Sequence, residues 1–362
     1  MADGLKKVQN AVPGKAMLQI LSNVKVEAKE NGTLVMSATN LDMTVQTAVK
    51  CEVAEPGVTT IPAKLLLNAV QKLPEGPVEV DVNPETDKAV LKGGSAVYRL
   101  NGLPAKDFPT AEKVEVIAAY TLSQPVLREC IRKTAFAVSD DDTRKTLKGL
   151  SVNFNGKLTM VATDGRRLAL VEGDVTADKP TDGTSVIITQ ALAGELMRLL
   201  ESEGDVKVCV AKTKIAFAIG QTVITSKLMD EVYPDYRRVI PDIENGKYTP
   251  ITIDRGLFIS AIDRANVVAA SGTENVRLSF KSNELIISIT AADESGSARD
   301  VVPVKYDGAD VDILFMPTYV LEPLKAIDDD EITFYVADGQ HPAVIKCSIP
   351  YICVIMPLRT AV

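Results

Sequence analysis

The strongest constraint on this chain is that it repeats itself. Three segments, Ile61–Leu73 (IPAKLLLNAVQKL), Ile188–Leu200 (ITQALAGELMRLL) and Phe315–Ile327 (FMPTYVLEPLKAI), succeed one another at a constant step of 127 residues. Within them apolar residues recur at Leu65 and Ala69, at Leu192 and Leu196, and at Tyr319, with Leu73, Leu200 and Ile327 closing the pattern. That spacing predicts a short amphipathic helix in each copy. Each helix follows a β-rich run (VTTIP, SVIIT, VDILF) and precedes an acidic or Pro/Gly turn and an alternating strand (VEVDV, VKVCV, ITFYV). A repeat of this length is a whole domain.

A second helix recurs with the first. Ser123–Ser139 and Asp254–Ser271 open on N-cap residues and carry helical spacing, and Gly4–Val12 is their weaker first copy. A turn recurs as well: Ala38–Met43 (ATNLDM), Ala162–Arg167 (ATDGRR) and Ala291–Gly296 (AADESG) each separate two strand-like runs. Ala162, Thr163 and Asp164 are therefore turn-formers, Asp164 bonding local amides. Gly165, Arg166, Arg167 and Leu168 have no counterpart in the sister copies, and function is sought there. The fold class is α+β: three copies of a domain with two helices on largely antiparallel sheet. Loops at Phe108–Val116 and Tyr233–Gly246 place the domains at 1–113, 114–243 and 244–362.

Composition removes whole classes of chemistry. The only histidine is His341, so a His-based triad, dyad or multi-His zinc site is excluded. Neither GxGxxG nor GxxxxGK[ST] occurs. Five cysteines stand at no metal-ligand spacing, and we expect buried, reduced thiols. No metal and no cofactor is expected. The start MADGLKKVQNAV lacks the apolar core of a signal peptide and no stretch is long enough to span a bilayer, so a cytoplasmic, nucleoid-associated protein with no membrane partner is expected.

The formal net charge is −8, yet the helix segments are basic. They carry Lys6, Lys7, Lys15, Lys64, Lys72, Arg128, Arg132, Lys133, Arg198, Arg255, Arg264 and Lys325 against Glu129, Glu195, Asp263 and Glu322. If the helices share a face, that face suits a polyanion while the rest of the acidic chain repels it. Ordinary solvated helix faces would give the same count.

Several longer motifs then carry a resemblance over essentially the whole chain. LPAKDFP (Leu103–Pro109), VATDGRRLAL (Val161–Leu170), TSKLMDEVYPDYRRVIP (Thr225–Pro241) and YICVIMPLR (Tyr351–Arg359), in this order, resemble the bacterial DNA polymerase III beta subunits, the beta sliding clamps. The resemblance implies a non-enzymatic processivity factor: a head-to-tail homodimer forming a ring of six domains, with helices lining the hole. It encircles double-stranded DNA without sequence preference and tethers the replicative polymerase subunit, the clamp loader, other polymerases and repair proteins through short linear motifs. It further implies a partner-peptide groove of Leu147, Thr163, Gly165, Arg166, Arg167 and Leu168 with Pro234, Arg238 and Val239 and with Val354, Met356, Pro357 and Leu358. Implied DNA-facing cations are Lys6, Lys7, Lys15, Lys72, Arg128, Arg132, Lys133, Arg144, Lys145, Arg198 and Arg264. Tyr98 and Leu100 would meet Val267, Val268 and Arg299 of a second copy at the dimer interface.

The chain departs from the family in three places. Arg166 stands where the family often has histidine. The loop Ser139–Lys145 presents Asp140, Asp141 and Asp142 where a DNA-facing loop is expected, leaving Arg144 and Lys145 as the better contacts. Copies two and three carry a strand before their first helix, Val114–Leu122 and Tyr248–Ile253, whereas copy one has only MAD there. A first-domain sheet one strand short, and a less stable first domain, are expected. The rival readings are a repeat-built protein-interaction scaffold without DNA encirclement, and a divalent-metal hydrolase using Asp140–Asp142 with Asp164.

Overall fold

Side-chain alternation and helical spacing translate directly into the observed elements. The computed structural model describes residues 1–15, 17–110, 115–178, 183–269, 275–291 and 296–359. Val114, residues 292–295 of the third turn, residues 270–271 and the boundary between residues 113 and 114 lie outside them. Copy one runs α1 (Ala2–Val8), β1 (Asn23–Lys29), β2 (Thr33–Thr39), β3 (Met43–Lys50), β4 (Gly57–Pro62), α2 (Ala63–Lys72), β5 (Glu79–Asn83), β6 (Lys88–Gly93) and β7 (Ala96–Asn101). Copy two runs β8 (Ala118–Ser123), α3 (Gln124–Thr134), β9 (Gly149–Asn155), β10 (Lys157–Thr163), β11 (Arg167–Gly173), β12 (Thr176–Ala177), β13 (Thr184–Thr189), α4 (Gln190–Leu199), β14 (Asp205–Val210), β15 (Lys214–Ile219) and β16 (Thr222–Lys227). Copy three runs β17 (Thr249–Asp254), α5 (Arg255–Ala265), β18 (Val276–Lys281), β19 (Glu284–Thr290), β20 (Ser297–Pro303), β21 (Val311–Phe315), α6 (Pro317–Ala326), β22 (Glu331–Val336), β23 (Ala343–Lys346) and β24 (Tyr351–Ile355).

The first helix of each copy is shorter than its apolar spacing suggests. It ends in a 3-10 turn: Gln9–Ala11 after α1, Ala135–Ala137 after α3 and Asn266–Val268 after α5. At the other end of α5, Asp254 caps the helix by accepting the Leu257 amide at 2.7 Å.

The chain divides into two compact units. One holds Met1–Pro125, Thr176–Thr181 and Gly194–Leu228. It contains an antiparallel sheet in the order β12-β8-β14-β15-β16-β3-β2-β1-β4 and a three-stranded sheet β5-β6-β7. The other holds Val126–Val175, Asp182–Ala193 and Met229–Val362, with sheets β13-β9-β10-β11-β24-β23-β22-β17 and β20-β19-β18-β21. The division passes through the middle copy because sheets run on from copy to copy. β16 pairs with β3, Ile224 facing Val45, and β24 pairs with β11, Val354 facing Leu168. Main-chain hydrogen bonds thus join neighbouring copies as firmly as they join strands within one.

The sheet of copy one differs from those of its sisters at one edge. In copies two and three the strand before the first helix pairs with the strand after the second, β8 on β14 and β17 on β22. Among the described residues no strand pairs with the outer side of β5, which is an edge strand. Val80 and Val82 of β5 are only half-buried, whereas Val206, Val208 and Val210 of β14 and Ile332, Phe334 and Val336 of β22 are buried. An unpaired edge with half-buried apolar side chains opens readily. Amides of β5 are expected to exchange with solvent faster than those of β14 and β22 in mass-resolved hydrogen exchange. Equal protection of the three strands would contradict this reading.

Candidate peptide groove and nucleic-acid surface

The turn between β10 and β11 is built by its own side chains. Asp164 Oδ1 accepts the amides of Arg166 at 2.8 Å and Arg167 at 2.9 Å. Thr163 donates to the Arg167 carbonyl at 2.6 Å and accepts the Gly165 amide at 3.1 Å. Copy one makes the same turn with Thr39 and Asn40, whose Oδ1 accepts the amides of Asp42 at 3.0 Å and Met43 at 2.7 Å. The third residue of the turn takes a positive φ, 85° at Gly165 and 77° at Leu41. Gly165 therefore has a structural counterpart after all, and glycine serves there because it enters that region without strain.

From this turn a continuous apolar wall leads to the last strand. Leu168 and Val354, paired across β11 and β24, join Val161, Tyr236 and Val344 in one buried cluster. Tyr233, Ile240, Ile243 and Ile352 pack on it while partly buried. The turn is held to the end of β24 by the Met356 amide, which donates to the Arg166 carbonyl at 2.8 Å. Around the cluster Pro234, Arg238, Val239 and Met356 are exposed, and Pro357 and Leu358 are half-buried. Val239 is 55% exposed and Met356 44%, so apolar side chains beside the cluster stand open to solvent. Leu358 is held elsewhere as well, its amide donating to the Leu314 carbonyl at 2.8 Å. Leu147 is half-buried on the short turn Lys145–Leu147, its carbonyl accepting the Ser139 amide at 3.0 Å.

Arg167 is not a free cation on this wall. It is 9% exposed. Its Nε lies 3.1 Å from Asp164 Oδ2, its Nη1 pairs with Glu322, and its Nη2 donates to the Phe136 carbonyl. The guanidinium carbon also lies 5.3 Å from the Phe136 ring centroid and 4.6 Å from that of Tyr319. The planar fork stacks and bonds at once, so the residue ties the turn to α6. Sequence reasoning did not identify Phe136, Tyr319 or Glu322 as its partners, because local spacing is silent about contacts this distant along the chain.

The basic residues expected on helices divide into three groups, with Lys15 lying beyond α1 and its 3-10 turn. Lys6, Lys15, Lys72 and Arg128 are exposed and Lys7 is half-buried, while Arg144 and Lys145 are exposed on the loop after α3. Arg144 is partly engaged, 3.5 Å from Asp141 and donating to the Asp164 carbonyl at 3.3 Å. Arg132, Arg198 and Arg264 are already paired. Arg132 bonds Asp328 at 2.7 Å and Glu129 at 2.6 Å, and this bond first of all holds the Asp328 carboxyl below its ordinary range. Arg198 pairs with Glu195 and donates to the Lys6 carbonyl at 2.9 Å, and Arg264 lies 2.6 Å from Asp300. Lys133 corrects an expectation outright. It is 1% exposed, 2.7 Å from Glu129 and over the Tyr351 ring, so it does not face solvent or DNA. Burying an ammonium is tolerable only with such partners.

The acidic loop is likewise satisfied internally. Asp141 accepts the Thr143 amide and hydroxyl, and Lys148 pairs with Asp142. No cluster of metal-ligating side chains occurs among the described residues. All five cysteines are free, but only Cys130 and Cys353 are buried, their thiols pushed up to about 12 by burial. Cys51, Cys209 and Cys347 are partly exposed, which corrects the expectation of uniformly buried thiols.

Three copies of a two-helix, antiparallel-sheet domain, joined through their sheets, define the DNA-clamp fold. Comparison with known proteins gives the same result. Residues 1–112, 121–235 and 237–359 match the N-terminal, central and C-terminal domains of the DNA polymerase III beta subunit. The beta sliding clamp of Caulobacter vibrioides is 34% identical over 98% of this chain and 96% of its own length. The solved DNA polymerase sliding clamp of Pseudomonas aeruginosa superposes with a TM-score of 0.91 at 31% identity, covering 99% of this chain and 97% of that one. A sliding clamp from Bartonella birtlesii, solved bound to griselimycin, gives 0.91 at 32% with the same coverage. The chain belongs to the DNA polymerase III beta subunit family, the beta sliding clamps. It is a processivity factor of DNA replication and not an enzyme.

Proposed function

We propose that two copies of this chain close head to tail into a ring that encircles duplex DNA, and that the apolar wall beside Arg166 is a groove for short linear motifs of the replicative polymerase, the clamp loader, other polymerases and repair proteins. The domains are those at 1–113, 114–243 and 244–362. The ring works in the cytoplasm at the nucleoid; no described helix is long and apolar enough to cross a membrane. Lys6, Lys7, Lys15, Lys72, Arg128, Arg144 and Lys145 supply sequence-blind phosphate contacts, while Arg132, Lys133 and Arg198 hold the scaffold. These cations are few, and Lys6 and Arg144 are shared with Asp3 and Asp141, which leaves the DNA weakly held, as sliding requires.

One observation carries the ring: two joints are complete and the halves of a third stand open. The middle residue of the 3-10 turn after the first helix is Asn10, Phe136 or Val267. Asn10 donates to Glu195 at 3.2 Å, and Phe136 lies over Arg167. Val267 is 82% exposed. Likewise β3 is paired by β16 and β11 by β24, whereas their counterpart β20 and the counterpart of β16 and β24, β7, are both edge strands. Tyr98 and Leu100 of β7 thus meet Val267, Val268 and Arg299 of a second copy. Carried across residue by residue, the registers in which Val223 faces Gln46 and Ile352 faces Leu170 put Val97 opposite the next copy's Arg299. A second copy satisfies both edges at once, as edge strands in soluble proteins require.

The test is retention. Light scattering should show twice the mass of one chain across a dilution series, and protein loaded on circular duplex should remain until the circle is cut. A monomer at every concentration, or equal retention on linear and circular DNA, would sink the ring.

A further inference from the structure

Ring closure uses the edges of β7 and β20, and the outer side of β5 is left over. Among the described residues no strand pairs with it. The sister copies show what fills this place. Val80 faces Leu91 on β6 as Val208 faces Phe217 on β15, so β5 and β14 occupy the same position. Tyr120 of β8 then covers Val208, and Ile251 of β17 covers Phe334. Val78, Val80 and Val82 are only half-buried.

The main chain of β5 is set for the same pairing. The Gly102 amide donates to the Asp87 carbonyl at 2.9 Å. By the two-residue period of an antiparallel ladder, β6 therefore bonds β7 through its odd-numbered residues and β5 through its even-numbered ones. Glu79, Asp81 and Asn83 are used in that pairing, and Val80 and Val82 turn amide and carbonyl to the open side. The covering strands of the sister copies obey the matching rule. Gln124 donates to the Gly204 carbonyl at 2.8 Å and Arg255 to the Asp330 carbonyl at 2.9 Å, so Tyr120 and Leu122, like Ile251 and Ile253, aim their amides at the neighbouring strand.

We propose that the outer edge of β5 is a strand-docking site, and that its occupant is an extended segment of a partner protein in which apolar residues alternate with basic ones. The apolar side chains take the places of Tyr120 and Leu122 and cover Val80 and Val78. The basic ones fall on the solvent face opposite Glu79 and Asp81, both exposed, of which Glu79 is shared with Lys92 at 2.7 Å. A second copy's β5 is the wrong occupant, because pairing two such strands about Val80 sets Glu79 of one against Asp81 of the other.

The probe is a labelled peptide, Val-Lys-Tyr-Lys-Leu-Ser blocked at both ends, titrated with the full chain by fluorescence anisotropy. N-methylation of its Tyr and Leu amides should weaken binding at least about tenfold, since two main-chain hydrogen bonds are lost. N-methylation of its two Lys amides, which face away from β5, should leave binding nearly unchanged. The bound peptide should slow hydrogen exchange at Val80 and Val82. Asp81→Asn, at an exposed position, should weaken binding about threefold, the range of an exposed charge pair. Equal affinity of the two methylated isomers would overturn the proposal, as would failure of all three peptides to bind. Protection that falls on β20 or beside Met356 in place of β5 would overturn it as well. A solution mass beyond two copies that Val80→Lys abolishes would assign this edge to self-association and overturn it equally.

Discussion

Replacing Arg167 with alanine is expected to destabilise the unit holding the third copy and part of the second by about 3 kcal/mol, near the low end for breaking a largely buried ion pair. The loss combines several effects. Asp164 stays behind at 15% exposure without its partner, the Phe136 carbonyl loses a donor, and the space between the Phe136 and Tyr319 rings empties. Glu322 matters less, because at 43% exposure it regains water. For a unit of this size the shift in melting temperature is roughly 6–12 °C. The melting must be followed with a probe in that unit, since a chain of several domains need not unfold in one step. Arg167→Lys should recover only part of the loss, because an ammonium keeps one charge but neither forks nor stacks. A melting temperature within about 2 °C of wild type for Arg167→Ala, well under the shift just given, would mean that this pairing is not what holds the turn to α6.

The second large effect concerns closure of the ring. Val97→Cys with Arg299→Cys should form a disulfide between copies under mild oxidation, because directly opposed residues of paired antiparallel strands have Cα atoms about 4.5–5.5 Å apart. Non-reducing gels should then show a covalent dimer, and stapled rings should stay on circular DNA after dilution that strips the wild type. Neither single variant should crosslink in this way, which separates the designed pair from the partly exposed native cysteines. A shift of one residue in register would put the two thiols out of line and abolish the bond. Failure of the pair together with success of Val97→Cys and Ala298→Cys would show such a slip. Val267→Glu tests the same joint from its other half. It puts an unpartnered charge where Phe136 occupies the equivalent place, and dimers should dissociate at concentrations where the wild type remains paired.

Much of the fold was legible because it is written in local patterns. The constant step between Ile61, Ile188 and Phe315 located α2, α4 and α6, and alternation located β5, β14 and β22 within a residue. The turn at Asp164 was read correctly as a side-chain-capped turn, yet the assignment of Gly165 to function alone missed that Leu41 holds the same backbone conformation. Sequence comparison shows residue types, and φ belongs to the folded chain.

Charge was where sequence reading ran short. Counting basic residues on helices treated Arg132, Lys133 and Arg198 as equivalent to Lys6 and Arg128, since a helical pattern says which face a residue occupies and not what lies against it. Their fates depend on partners far along the chain: Asp328 for Arg132, the Lys6 carbonyl for Arg198, and Cys347 with the Tyr351 ring beside Lys133. Periodicity and repetition are short-range properties, so the sequence by itself determined the three-copy architecture, its strands and helices, and the family. Which cations are buried or paired was decided only by the tertiary structure. Burial and pairing depend on what the rest of the chain brings within a few ångströms, and a pattern along the chain does not contain that information.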